Sequence, residues 1–90
     1  MDEANTILID ELLKEYGPLM FIREANAVLS MLTGQRYTSH PRMEGDVASP
    51  IYNAIGRGLI RATCARWFIQ IDTESFREYL RSFRARKETV

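Results

Sequence analysis

The run from Ser49 to Leu80 changes its hydrophobic period several times, and at each change stands a residue type that enforces it. Ser49-Pro50 pairs a side chain that caps helix N-termini with a ring whose fixed φ suits the first helical position. The spacing then predicts a short helix over 50–57, with Ile51, Ala54 and Ile55 inward and Tyr52, Asn53 and Arg57 outward. Gly56 and Gly58 end it, since glycine accepts the left-handed conformation of a helix stop. Leu59 to Ala62 and Arg66 to Ile71 are rich in branched and aromatic side chains, which predicts a hairpin over 59–71 with Thr63-Cys64-Ala65 at its tip. Along the second strand Trp67, Ile69 and Ile71 alternate and are expected to face the core, with Phe68 and Gln70 on the other side. Asp72 or Thr73 caps a last helix, where Phe76, Leu80 and Phe83 recur at i, i+4 and i+7 with Tyr79 beside them. After Phe83 the sequence R-A-R-K-E-T-V reads as a fraying basic tail over 84–90.

Upstream, Asn5 or Thr6 opens a first helix, with Ile7, Leu8, Leu12 and Leu13 as its apolar stripe and Ile9 off it. It reads as a packing helix, with a dimer contact through Ile9 as the alternative. Tyr16-Gly17-Pro18 stops this helix. Leu19-Met20-Phe21 reads as a brief strand or the start of a second helix. From Ile22 to Leu32, Ala25, Val28, Leu29 and Leu32 form an apolar face, with Arg23, Glu24, Asn26 and Ser30 off it, before Thr33-Gly34 ends the pattern. Gln35 to Ala48 shows no period, contains Pro41 and Gly45, and reads as an unusually long loop whose Arg36, Tyr37, His40 and Arg42 suit a phosphate backbone.

Composition narrows the chemistry. Ninety residues make one small domain, with 1–17 as an added acidic helix. One cysteine and one histidine offer neither an intrachain disulfide nor a zinc site, and no nucleophile–base pairing is evident. No enzyme activity, metal or cofactor is therefore expected. No apolar run approaches the roughly 20 residues of a membrane span, and the acidic start is unlike a secretory signal, so the expected location is cytoplasmic. Net charge is zero but unevenly spread. Residues 1–30 carry six acidic side chains against two basic, while residues 31–66 carry five arginines against Glu44 and Asp46. A neutral but polarised chain can still turn one basic face to phosphates.

Three pieces carry a resemblance. Phe21-Ile22-Arg23-Glu24-Ala25, with Val28-Leu29 behind it, resembles the opening helix of excisionase-like and MerR-like winged helix-turn-helix DNA-binding domains. I-Y-N-A-I-G-R-G-L-I from Ile51 is similar to their recognition helix and the step into the wing. Trp67, Ile69, Ile71 and F-R-E-Y-L to Leu80 resemble the second wing strand and closing helix. The similarity spans residues 19–82. It implies a small α+β winged helix-turn-helix domain with an added N-terminal helix and a two-stranded wing. It also implies duplex DNA as partner, in an excisionase-like or regulatory role within a bacteriophage or mobile element. Carried over, Ser49, Tyr52, Asn53 and Arg57 lie on the recognition helix, and Arg61 and Arg66 lie on the wing. Asn53 and Arg57 suit base edges, while Arg36, Arg42, Arg81, Arg84, Arg86 and Lys87 suit phosphates. The interval from Gly34 to Ser49 is longer than the usual helix-to-helix turn. With the zero net charge and the acidic first helix, it motivates an alternative from another class: a protein-binding winged helix acting as an inhibitor, adaptor or assembly component.

Overall fold

The computed structural model describes residues 3–64 and 67–88, with side chains over 7–64 and 67–83. The order is α1 (Glu3–Leu13), β1 (Leu19–Phe21), α2 (Ile22–Thr33), β2 (Arg36–Thr38), β3 (Asp46–Ala48), α3 (Ile51–Gly56), β4 (Ala62–Cys64), β5 (Ile69–Asp72) and α4 (Thr73–Glu88). The class is α+β. An antiparallel sheet in the order β1-β5-β4 stands beside a separate parallel pair, β2 and β3.

One core joins these layers. Ile9 and Leu13 of α1, Met20 of β1, Ala25, Val28 and Leu29 of α2, Ile51 of α3, Ile71 of β5, and Phe76 and Leu80 of α4 are all buried. Tyr79 stacks between Phe76 and Phe83, extending the apolar face of α4. That face is the one expected from spacing. On α1 the register differs: Ile9 is 0% exposed, whereas Ile7 is 57% and Leu8 43% exposed. The apolar cluster at 7–9 permits either of two helix faces. The choice falls to packing on α4 and α2, and Asp10 reinforces it by facing Arg77 and Arg81 of α4. Ile9 is therefore core, and it is Ile7 and Leu8 that remain outside.

The stop of α3 explains why the hairpin starts later than its composition suggests. Gly58, at φ +76, donates its N–H to the Ile55 carbonyl, and Leu59 donates to the Ala54 carbonyl. These paired bonds make a Schellman turn, which takes up Leu59 and turns Ile60 into the core. The strands begin only at Ala62 and Ile69, paired Ala62 to Ile71, Thr63 to Gln70 and Cys64 to Ile69. Thr63 and Cys64 belong to a strand rather than to the tip. Trp67 precedes β5, so the alternation that was expected to bury it does not reach it, and it is 86% exposed.

Residues 35–48 are not one loop. Arg36, Tyr37 and Thr38 pair in parallel with Asp46, Val47 and Ala48. Parallel strands ordinarily need a crossover of a dozen or more residues. Here the strands are three residues long, so the chain has only about 10 Å to retrace and returns through 39–45. Asp46 holds that return: its carboxylate accepts the N–H groups of Arg42 and Met43, both at 3.0 Å, and pairs with Arg36 Nε at 2.7 Å. Those bonds, with the Arg42 N–H first, lower its pKa against the opposing effect of burial.

Two further junctions fix the elements. Asp72 caps α4, accepting the Ser75 N–H at 2.9 Å, while Ser75 Oγ accepts the Arg61 N–H at 2.9 Å. Thr73 Oγ1 donates to the Gly17 carbonyl at 2.7 Å, tying the start of α4 to the approach to β1. The helix then continues to Glu88, and the last two residues of the expected tail, 89–90, lie outside the described residues.

Candidate nucleic-acid interface

Tyr52 and Asn53 follow the buried Ile51 at the start of α3 and are exposed, as is Arg57 at its end. The helical period that buries Ile51 and Ala54 leaves these three side chains outward, as their spacing predicts. Ser49 behaves otherwise. The helix begins at Ile51 with Pro50 in the cap position, and Ser49 Oγ accepts the Ile51 N–H at 3.2 Å while donating to Asn26 Oδ1. Asn26, expected off the packed face of α2, is only 8% exposed and also donates through Nδ2 to Ser39 Oγ at 3.1 Å. It thus ties α2, the loop after β2 and the start of α3 together, and sets the pose of α3. Ser49 is a positioning residue rather than an outward contact.

Three of the five candidate arginines whose side chains are described are already engaged. Arg36 pairs with Asp46, and Arg61 Nη2 lies 2.7 Å from Asp72 Oδ2. The Arg61 contact helps lower the Asp72 pKa, second to the Ser75 backbone bond. Arg81 is turned to α1 and its own helix, with Glu78 at 3.3 Å and Asp10 at 3.9 Å. Arg77 joins the same cluster through Glu74 and Asp10. Arg42 and Arg57 have exposed side chains without an ion pair among the described residues. Arg66 and the side chains of Arg84, Arg86 and Lys87 lie outside the described residues. The structure therefore leaves Tyr52 and Asn53 of α3 and Arg57 at its C-cap exposed, and turns Arg81 to the α1–α4 face.

A second feature was not evident from spacing. Phe21, Arg23, Tyr52, Trp67 and Phe68, with Ile22 and Ile69, line an open groove of about 540 Å³. Phe68 meets Phe21 edge to face, with centroids 5.5 Å apart, and the Arg23 guanidinium carbon lies 5.5 Å from the Phe21 centroid. Among the described residues Arg23 is the only charged one on its walls. Of its rings, the sequence placed only Tyr52 and Phe68 away from the core.

His40 and Cys64 are exposed, and among the described residues no three His, Cys, Asp or Glu side chains group closely enough to hold a metal ion. No helix among the described residues is long and apolar enough to cross a membrane. Comparison with protein-family models, with curated proteins and with solved structures gives no significant match for this chain.

Proposed function

We propose that this chain is a winged-helix protein that binds duplex DNA, with α3 in the major groove and the β4–β5 hairpin along the backbone. The observation that carries the reading is the joint exposure of Tyr52, Asn53 and Arg57 on a helix whose other face is buried against α2 and the core. Asparagine and arginine are the side chains that pair bidentately with adenine and guanine edges. The arrangement of elements supports the same reading: β1 precedes α2, α3 leads directly into a hairpin, and the second hairpin strand pairs with β1. The Asn26–Ser49 link supplies the fixed pose that so short a helix needs in order to read bases.

The engaged arginines limit the electrostatic contribution. Among the described side chains Arg23, Arg42 and Arg57 lack an ion pair, so at least about three phosphates are neutralised. The logarithm of the binding constant should then fall with that of salt at a slope of about −3 or steeper. Titration of labelled duplexes at increasing salt tests this. Arg57→Ala is expected to reduce discrimination between sequences, whereas Arg42→Ala weakens all duplexes alike. Absence of binding at low salt, or binding indifferent to salt, overturns the reading and favours the protein-binding alternative, for which Ile7 and Leu8 on α1 are the exposed apolar residues.

A further inference from the structure

The geometry points to the groove between α2, α3 and the hairpin as a stacking site for an unpaired nucleobase, with Arg23 taking the adjoining phosphate. The inference rests on the DNA-binding reading for its class of ligand, but it adds a separate subsite with a different specificity: single-stranded or locally melted nucleic acid rather than duplex edges.

Trp67, the sole tryptophan of the chain, is 86% exposed, and Phe68 and Tyr52 are 48% and 49% exposed. These rings rise around an open groove instead of closing over a pit. A projecting indole gives a partner a flat face to stack on, and every nucleobase has such a face. Two of the rings, Phe21 and Phe68, are also held in place. Phe68 rests edge-on against Phe21, and Phe21 is fixed by its position at the end of β1, paired to Gln70. The Phe21 N–H is tied to Glu24 Oε1 at 2.8 Å, which directs that carboxylate to the backbone.

Charge selects the same ligand. Arg23 is exposed, forms no ion pair among the described residues, and lies against the Phe21 ring. A guanidinium held this way keeps its donors for a phosphate oxygen while its plane extends the aromatic surface. Among the described residues no carboxylate lines the groove. Tyr52 belongs both to this groove and to the outer face of α3, so a duplex lying on α3 would bring its end or a melted pair to Trp67.

Three probes separate the possibilities: a short blunt duplex, the same duplex with a single-stranded thymidine tail, and the tail alone. Binding is followed by fluorescence anisotropy and by the emission of Trp67. The tailed duplex is expected to bind about tenfold tighter than the blunt one, the order of one stacked base, and to quench Trp67. Trp67→Ala should abolish that preference, lowering affinity for the tailed probe by far more than for the blunt duplex, and Trp67→Phe should restore part of it. Because Trp67 makes so little buried contact, unchanged circular dichroism is expected for both variants. Arg23→Ala should lower affinity for the tailed probe and the free tail more than for the blunt duplex. Equal affinity for blunt and tailed duplexes with unquenched Trp67 overturns the stacking site and leaves the duplex reading standing. Failure of all three probes to bind overturns both. An acidic amphipathic peptide that blue-shifts Trp67, while the tailed duplex leaves its emission unchanged, assigns the groove to a protein segment and also overturns the proposal.

Discussion

Replacing Asn26 by alanine is expected to loosen α3 from the rest of the domain, and the cost follows from its bonds. Asn26 is 8% exposed and makes two side-chain hydrogen bonds, from Nδ2 to Ser39 Oγ and from Ser49 Oγ to Oδ1. Each such bond contributes about 1 kcal/mol net, so Asn26→Ala should cost about 2 kcal/mol. In a domain of ninety residues this lowers Tm by roughly 8–16 °C. Ser49→Ala should cost a similar amount, because Ser49 Oγ also accepts the Ile51 N–H at the start of α3. The two losses overlap, since one hydrogen bond belongs to both side chains. Urea unfolding of the two single variants and the double variant, followed by far-ultraviolet circular dichroism, should give a coupling energy of about 1 kcal/mol. Circular dichroism is the appropriate signal because Trp67 is already exposed in the folded state. A coupling below about 0.3 kcal/mol, which is the additivity of independent sites, would refute the claim that this pair sets the pose of α3.

Two further outcomes are expected. Ile9→Ala should cost about 3 kcal/mol by emptying a buried site, whereas Ile7→Ala should cost less than about 0.5 kcal/mol as a surface change; denaturant titration showing the reverse order would place the other face of α1 inward. Asp46 and Asp72 both have folded-state pKa values below the ordinary 3.8, so their contribution is present above that value and is lost as pH falls through the lowered values. Tm should therefore hold from neutral pH to about 5 and decline below about 4, with a shallower decline in Asp46→Asn and Asp72→Asn; equal acid slopes in variants and parent would contradict it.

Much of the element order is legible in the chain because it depends on local chemistry. Glycine at Gly34 and Gly58 supplies the left-handed stops. Asp72 has an acceptor that reaches the Ser75 N–H. Phe76, Leu80 and Phe83 share a helix face whatever lies opposite. The outward position of Tyr52, Asn53 and Arg57 has the same origin, since residues flanking a buried Ile51 and Ala54 have only one other side to occupy.

What is not legible depends on partners distant in sequence. The face of α1, the burial of Asn26 and the engagement of Arg81 are each decided by a neighbour on another element. The parallel ladder of β2 and β3 is hidden for a related reason: three-residue strands are too short to show a period, and one carboxylate, Asp46, makes their return possible. The Schellman turn displaces the hairpin by using Leu59 and Ile60, residues whose composition suits a strand equally well.

The sequence by itself determined the Ser49–Leu80 succession of helix, hairpin and helix, because caps, glycine stops and a period of 3.6 act over a few residues. Only the tertiary structure decided that Trp67 stands outside the core beside Phe21, Arg23 and Tyr52. That groove joins three separated segments, and burial is a property of the space between elements, which no local pattern encodes.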